Sequence, residues 1–549
     1  MLRSLNVRPN RAVLARAFFV GLFALLVRVV FVLEFAALPL FDVNLVSGTD
    51  MEFLVTWARR IADGDLLGRG TGPFWWAPLF PYNLGAIFAI VGRDNLLGAA
   101  LVQAAIGAST AILLYLLGRR LLDETTGLVA GLLAGVYGTA IFYVGILLST
   151  TLETFLAVAL LLVVTEARSR PTSFRWLAAG VVGGLACLAR PNFLLGVAIL
   201  WCLLPFLLPP ANGRTDWAGV RRAAVTVGLG VLLTIAPATA RNWAVGGSPV
   251  LVSAAGPETF RIANSYDSTP MNFVYPKKAA MPLTSTAFWR HQARKALLFW
   301  WGFEAPQNVN YYLAREMSPW LRLPWLPFWL AVPLAAVGLW DTRKHARALI
   351  HIYALLGAYY VSVVAFFIIA RWRLPLVIPL LLFAAAGLLA LFRWARSHEW
   401  KSLVAGTAGV VALALIIYPG RGPFIFPADH GELGYILANR GDYPGAAREL
   451  TLAAAGLPQD GRLHRDLGLL LDRIGRADNA RVALEQAALL LPNDPVVHRY
   501  LGRLLLGPEG DKSRARAHLA LALAQDPHGP AAGEVRALLE KLDRGAQEP

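Results

Sequence analysis

The sequence predicts an all-α protein, in which a polytopic bundle of membrane-spanning helices precedes a soluble domain of helical repeats. Apolar residues make up 56% of the 549 residues and charged residues only 16%, a balance far from that of a soluble domain. Runs of about 20 apolar residues, enough to cross a bilayer, recur from residue 13 to residue 418. Beyond them the chain is polar, and its small residues and prolines recur at a fixed period.

The excess positive charge lies in the membrane part. The net charge of the chain is +16, but the residues up to 418 hold 35 Lys and Arg against 18 Asp and Glu, and the remainder holds 16 against 17. Because the excess flanks apolar segments, it indicates membrane topology, and we expect no nucleic-acid partner. Cys187 and Cys202 both lie within apolar segments and predict no disulfide.

Basic clusters between the apolar segments orient the chain. The N-terminus carries arginines and no acid before the first apolar segment, so we place it in the cytoplasm. Placing the later basic clusters there too predicts a membrane domain over 1–418 with about eleven spans: 17–36, 95–118, 127–146, 149–166, 176–190, 193–209, 222–240, 322–340, 348–370, 373–394 and 401–418. Segment 75–92, with its prolines, then suits an interfacial or re-entrant piece that does not cross.

This topology gathers unusual residues on the outer side of the membrane. The first outer loop, 37–94, contains Asp42, Asp50 and Glu52, and the second, 241–321, is rich in aromatic and basic residues. Turns on the same side carry Glu153, Arg190, Arg371 and Arg373. Acids and arginines therefore face a common plane at the membrane surface.

The polar tail has a period of 34 residues. Four positions keep the period together: Gly434, Ala446, Leu450 and Pro458 recur as Gly468, Ala480, Leu484 and Pro492. Such spacing resembles tetratricopeptide repeats, in which stacked helix pairs form a surface that usually binds protein. We assign the repeats to 429–549, after a linker at 419–428, and expect them to lie outside the cytoplasm. A stabilising cap without a ligand is the alternative.

The outer face suits a reaction whose leaving group is a lipid-linked phosphate. A prenyl chain needs apolar helices, a phosphate needs cations at the surface, and an acceptor hydroxyl needs a base. Arg371 and Arg373 flank a tryptophan at the end of an apolar run, and arginine can hold phosphate oxygens bidentately. The alternative is that both side chains are interfacial anchors.

Several short motifs, in this order, resemble the GT-C glycosyltransferases of family 39, the protein mannosyltransferase and aminoarabinose transferase type. They are GTDMEF, APLFPYNLG, LLSTTLETF, GLACLARPN, PATARNWAVGG, GPETFRIANS, WWGFEAPQNVNYY and ARWRLP. The resemblance covers roughly residues 15 to 395. Two features of the mannosyltransferases are missing, because Met51 splits their adjacent acids and their His-rich signature is absent.

The resemblance implies an inverting transfer of sugar from polyprenyl phosphate, with Asp50 as the general base. It further implies that five residues shape the donor site: Glu153, Arg190, Arg241, Arg371 and Arg373. It implies no cofactor and no obligatory metal. The expected partners are the lipid-linked donor, membrane lipid, and a protein partner or acceptor bound through the repeats. We expect a multi-pass protein of a bacterial-type inner membrane.

Each candidate side chain also has a simpler interpretation. Asp42 is a second candidate for the base. Thr49 and Glu52 have the spacing of a capping box, so Glu52 need not act in catalysis, and Asp50 could only be a favourable charge at a helix N-terminus. Glu153 could cap a span, and Arg190 could be an interfacial anchor.

Two other functional classes stay open at this point. One is a transporter or flippase of lipid-linked glycans, although no span centre holds an acid, which disfavours transport. The other is a non-catalytic membrane scaffold that assembles proteins through its repeats.

Overall fold

The computed structural model describes residues 11–43, 49–208, 214–420, 422, 424–507 and 511–545, and it confirms the all-α class. Over these ranges there is no β-strand, and strand-like contacts are isolated bridges such as Tyr137 with Leu326. The chain divides into two compact units after Gly422, within the predicted linker 419–428. The residues before Thr49 in the GTDMEF motif and the first ten of the N-terminus lie outside the described residues.

The first unit contains the apolar helices. They are α1 (Arg11–Ala36), α2 (Asp50–Ala62), α3 (Leu79–Val91), α4 (Leu96–Leu121), α5 (Glu124–Gly135), α6 (Gly138–Val144), α7 (Thr150–Ser169), α8 (Ser173–Ala189), α9 (Phe193–Cys202), α10 (Leu204–Leu207), α11 (Trp217–Ala244), α12 (Ala255–Ala263), α13 (Thr286–Leu298), α14 (Tyr311–Met317), α15 (Pro319–Arg322), α16 (Phe328–Asp341), α17 (Ala346–Val364), α18 (Ala370–Arg396) and α19 (Trp400–Ile417). Short 3-10 helices cover Pro39–Phe41 and Thr342–His345.

Seven stretches of the described residues are helical, long and apolar enough to cross a membrane. They are α1, α4, α7, α11, α16 together with α17, α18 and α19. The remaining predicted spans correspond to the shorter helices α5, α6, α8, α9 and α10, so the count of about eleven stays a prediction. Helix α3, in segment 75–92, has 13 residues and a length of about 20 Å, less than the roughly 30 Å of a bilayer core.

The segment predicted as one span, 127–146, is two helices rather than one continuous helix, and that it crosses as one span stays a prediction. Helix α5 ends at Gly135, where the Arg28 guanidinium donates to the carbonyls of Ala134 (2.9 Å) and Gly135 (3.2 Å). The Leu326 amide donates to the Val136 carbonyl at 2.9 Å. Because apolar surroundings offer no water to free carbonyls, a break is tolerated only where protein groups pair with them.

Helix α18 is the centre of the first unit. Every residue from Ala370 to Gly387 is buried, and two glycines bring α16 against it. A Cβ at Gly338 would lie 1.8 Å from the Phe383 carbonyl oxygen, and one at Gly387 would lie 2.0 Å from that of Leu334. The two helix backbones are therefore in direct contact, and α18 begins with the residues Arg371 and Arg373.

The basic clusters meet at one end of this unit. Arg120 pairs with Glu166 at 2.8 Å, Arg168 donates to the Ala348 carbonyl at 2.6 Å, and Arg393 pairs with Asp341 at 2.6 Å. The start of α18 and both predicted outer loops lie at the other end. The Gly302 amide donates there to the carbonyl of Ile417, the last residue of α19.

The second unit consists of helix pairs. Its helices are α20 (Pro427–Asn439), α21 (Tyr443–Gly456), α22 (Gly461–Arg473), α23 (Ala477–Leu490), α24 (Pro495–Leu504), α25 (Lys512–Gln525) and α26 (Ala532–Gly545). One contact recurs in the first three pairs. In each pair, a Cβ added at a glycine of the first helix would lie 2.6–2.7 Å from a leucine side chain of the second helix. The pairs are Gly434 with Leu450, Gly468 with Leu484, and Gly502 with Leu519. The predicted period therefore has a packing cause.

We expect Gly338→Ala to destabilise the protein, because the added methyl meets the backbone of α18 rather than a movable side chain. Overpacking of this kind costs about 1–3 kcal/mol or more. Gly357→Ala is the matched control, since a Cβ at that helical glycine meets nothing within 4 Å. Thermal unfolding in detergent measures both variants. Equal melting temperatures would contradict the close crossing of α16 and α18.

Candidate functional site

A cavity of about 460 Å³ lies at the end of the first unit where α18 begins. Four side chains singled out from the sequence line it: Asp50, Glu153, Arg190 and Arg371. They come from the starts of α2, α7 and α18 and from the turn after α8. Aromatic residues complete much of the wall: Trp76, Phe80, Phe366 and Trp372.

Asp50 is held at the first turn of α2. The Thr49 hydroxyl accepts from the Glu52 amide at 3.2 Å, which is the Thr49 half of the predicted capping box. The Asp50 amide donates to the side-chain oxygen of Asn308 at 2.8 Å. Asn308 has φ 68°, a backbone conformation that asparagine tolerates better than most residues. The helix start is thereby attached to the second outer loop.

The Asp50 carboxylate pairs with Arg371. Its Oδ2 lies 2.6 Å from Arg371 Nη2, and the Arg371 side chain is only 5% exposed. Gln307 joins both groups, because it accepts from Arg371 Nε at 2.7 Å and donates to Asp50 Oδ2 at 3.4 Å. Asp50 and Arg371 therefore form a hydrogen-bonded cluster with a neutral amide.

Sequence reasoning assigned no role to Gln307 or Asn308. Both lie in the segment WWGFEAPQNVNYY, which contributes to the family resemblance. Their signal was a pair of amides among aromatic residues. Amides are common in loops, however, and only the fold shows that Gln307 contacts the carboxylate of Asp50 and that Asn308 accepts from its backbone amide, more than 250 residues away.

Glu153 and Arg190 form a second buried pair in the cavity. Glu153 Oε2 lies 2.6 Å from Arg190 Nε, and the Glu153 side chain has no exposure. Its other oxygen, Oε1, has no hydrogen-bond partner in the described residues. The Arg190 guanidinium also lies over the Trp372 ring at 4.9 Å. The carboxylate of Glu153 is thus engaged with Arg190 rather than with the start of α7.

Arg373 does not line the cavity, which corrects the expectation that it binds donor phosphate. Its guanidinium donates to the carbonyls of Phe299, Trp301 and Phe303 and pairs with Glu304 at 2.7 Å. The reason is geometric, because residues two apart on a helix point about 200° away from each other. Arg371 faces the cavity and Arg373 faces the 299–304 loop.

Arg241 is likewise outside the cavity wall, and its expected role at the donor site is corrected. The guanidinium donates to the carbonyls of Leu67, Gly68 and Gly72 and stacks on the Phe74 ring at 4.1 Å. It holds together a stretch of the first outer loop. The ligand role of Arg241 was implied by the family resemblance alone, whereas carbonyls in a loop need donors too.

The two alternative acids are also placed away from the cavity wall. Asp42 follows the 3-10 helix Pro39–Phe41, and Glu52 lies on the first turn of α2, about 200° around the helix from Asp50. The described residues contain no group of three or more His, Cys, Asp or Glu that could hold a metal ion. Independence from metal stays a prediction.

We expect Arg373→Met to lower stability strongly, because it leaves the Glu304 carboxylate buried without its partner. Breaking a buried pair costs about 3–5 kcal/mol. The double variant Arg373→Met with Glu304→Gln recovers part of the loss, since no buried charge remains. Arg393→Gln, which removes an exposed pair with Asp341, costs less than about 1 kcal/mol. A loss for Arg393→Gln as large as that for Arg373→Met, in thermal unfolding, would contradict the structural role.

Comparison with solved structures finds an archaeal oligosaccharyltransferase and ArnT among the similar proteins. The archaeal oligosaccharyltransferase AglB from Archaeoglobus fulgidus, in complex with an inhibitory peptide and a dolichol-phosphate, is 13% identical with a TM-score of 0.44. The match covers 79% of this chain and 59% of that chain, so this chain spans less than two thirds of AglB. ArnT from Cupriavidus metallidurans, bound to undecaprenyl phosphate, is 13% identical with a TM-score of 0.45, covering 92% and 88%.

The comparison with protein families locates the resemblance along the chain. No curated protein matches. Residues 75–240 match the family model described as dolichyl-phosphate-mannose-protein mannosyltransferase. The matched range includes Glu153 and Arg190 and ends at the residue before Arg241. The match confirms the predicted resemblance: over residues 75–240, this chain is similar to the protein mannosyltransferases of the GT-C glycosyltransferase superfamily.

Proposed function

We propose that this protein is an integral-membrane glycosyltransferase that moves a sugar from a polyprenyl-phosphate donor to an acceptor hydroxyl. The observation that carries the proposal is the Asp50–Arg371 pair in a cavity with aromatic walls. Residues from four separate parts of the chain bring two carboxylates and two guanidinium groups to this one place. The family match over 75–240 supports the same reaction class.

Arg371 is the residue proposed to hold the donor phosphate. Its guanidinium is permanently charged and lines the cavity beside apolar residues that suit a prenyl chain. Leu195 and Val361 belong to that wall and are 40% and 58% exposed, so the wall continues onto the surface of the helices. A bound phosphate competes with Asp50 for Arg371 and releases the carboxylate for the reaction.

The proposed chemical step is a single displacement. The acceptor oxygen forms a bond to the anomeric carbon as its proton passes to the Asp50 carboxylate. The bond between that carbon and the phosphate oxygen breaks, and its electron pair leaves with polyprenyl phosphate. Attack from the face opposite the phosphate inverts the configuration. A phosphate leaving group needs little protonation, so one base suffices, unlike the carboxylate pairs of glycosidases.

Glu153 and Arg190 are proposed to position the sugar. Oε1 of Glu153 is buried and has no partner within the described part of the chain. A buried carboxylate oxygen is stabilised by any donor that reaches it. Sugar hydroxyls are such donors. Arg190 orients the carboxylate through the 2.6 Å contact.

The proposal also covers the side of the membrane, the cofactor requirement and the role of the repeats. The reaction takes place on the extracytoplasmic side of a bacterial-type inner membrane, needs no metal or other cofactor, and uses the tetratricopeptide-like repeats to bind a protein partner or acceptor. The sorting of basic clusters to the opposite end of the first unit supports this orientation.

We expect Asp50→Asn to abolish most sugar transfer while leaving donor binding in place. Removing a general base lowers the rate about 10²–10⁴-fold. The measurement uses purified protein with labelled polyprenyl-phosphate sugars and a panel of acceptors. Asp42→Asn is the matched control and keeps wild-type activity. Activity unchanged in Asp50→Asn removes the base from this position.

The same labelled lipids distinguish the enzyme from a flippase and from a scaffold. A flippase moves labelled lipid across vesicle membranes without sugar transfer, and this outcome would replace the enzyme by a transporter. A scaffold shows neither activity in wild-type protein.

Sidedness is tested by labelling single cysteines with a membrane-impermeant maleimide in a Cys202→Ser background. Thr284→Cys lies in the second outer loop and Ser397→Cys between α18 and α19, and both positions are exposed. We expect reagent added to intact cells to label Thr284→Cys and to leave Ser397→Cys unmodified. The reverse pattern means that the site faces the cytoplasm.

A further inference from the structure

The second outer loop carries a lysine that is completely buried. Lys295, on α13, has no exposed surface. Its Nζ lies 2.8 Å from the Asn264 side-chain oxygen, 2.9 Å from the Phe366 carbonyl and 3.3 Å from the Ala365 carbonyl. An ammonium group has three N–H donors, and here each has a neutral acceptor. No carboxylate of the described residues forms an ion pair with it.

The two carbonyls belong to the end of α17. That helix ends at Val364, and the last carbonyls of any helix have no partner within it. The Asn264 amide nitrogen also donates to the Ala365 carbonyl, at 3.0 Å. The Lys295 Nζ can donate to these carbonyls as an ammonium group and, after losing a proton, as a neutral amine. Lys295 and Asn264 therefore cap α17 with side chains from the outer loop.

The capped segment leads directly to the candidate site. Ala365 and Phe366 line the cavity, and Arg371 follows them by a few residues. Along the way the Ile368 amide donates to the Pro270 carbonyl at 2.8 Å, and the Ala370 amide donates to the Ala305 carbonyl at 3.0 Å. The outer loop thus contacts residues 365–370 at several places along the segment, and the first of these contacts is made by Lys295.

We propose that Lys295 is a positioning residue of the cavity: by fastening the end of α17 to the outer loop, it sets the place of the Ala365–Phe366 wall and of Arg371. The fastening itself is a statement about the fold. Its consequence for donor binding rests on the proposed function, in which Arg371 holds the phosphate.

The protonation state of Lys295 makes the proposal measurable. Burial lowers the pKa of Lys295 to about 7 from an ordinary value of 10.5. When the segment opens, Lys295 is hydrated and its pKa returns to the ordinary value of 10.5. The packed form is therefore favoured progressively as pH rises from about 7 to about 10.5, and pH has no effect through this group below about 7.

Other titratable or charged groups lie near Lys295 and could also contribute to a pH effect. On α13, His291 lies one turn earlier, and burial followed by the charge of Lys295 lowers its pKa; Arg294 is exposed. From α17, the Tyr360 hydroxyl donates to the Ala296 carbonyl at 2.9 Å. From α18, Arg373 reaches the Phe299 carbonyl. The end of α12 contributes the neutral Asn264.

The test is hydrogen exchange of the full-length protein in detergent at pH 6.5 and pH 8.5, corrected for intrinsic exchange rates. We expect protection of residues 364–371 to rise roughly 20-fold between these pH values in the wild type. Lys295→Met abolishes the rise and lowers protection at the higher pH. The rise in protection persists in His291→Gln and in Arg290→Gln, whose position on the same helix is exposed. A rise that persists in Lys295→Met overturns the proposal.

An activity measurement tests whether Lys295 affects donor binding through Arg371. In the transfer assay we expect Lys295→Met to raise KM for the polyprenyl-phosphate donor about 10-fold with kcat within about 2-fold, because it misplaces Arg371 but leaves Asp50 intact. An unchanged KM, together with lost pH dependence of exchange, overturns the link to the site. Wild-type protein without transfer activity refutes the proposed function and leaves the exchange result to decide the fastening.

Discussion

The arrangement at the start of α18 is the constraint on which the candidate site depends. The helix is buried from Ala370 to Gly387, so each charge on its first turn must be paired within the protein. Arg371 pairs with Asp50 and lines the cavity, whereas Arg373 pairs with Glu304 and holds a loop. One helix start thereby joins the cavity to the outer loop that supports it.

Buried cations in this fold mostly serve backbone carbonyls. Arg28 closes the broken end of α5, Arg241 gathers a stretch of the first outer loop, Arg373 holds the 299–304 segment and Lys295 caps α17. A helical membrane protein with irregular loops has many carbonyls without intrahelical partners. Long side chains with several donors supply them, and the cost is a buried charge that needs compensation.

The cavity combines this rigidity with exchangeable contacts. The backbone amide of Asp50 is fixed to Asn308, whereas its carboxylate contacts the side chains of Arg371 and Gln307. Among the residues that the structure describes, one oxygen of Glu153 has no partner. In the proposed reaction, a phosphate and a sugar hydroxyl would replace these side-chain contacts, which suits preorganised catalysis.

The sequence by itself determined the all-α class, the apolar segments, the segregation of basic clusters and the 34-residue period, because each follows from local composition or spacing. It also placed Asp50 at a helix start behind Thr49. Only the tertiary structure decided which arginine faces the cavity, that segment 127–146 is two helices, and that Gln307 and Asn308 belong to the site. These depend on side-chain direction around a helix and on partners far apart in sequence, such as Asp50 and Arg371, 321 residues apart, and neither leaves a local pattern in the sequence.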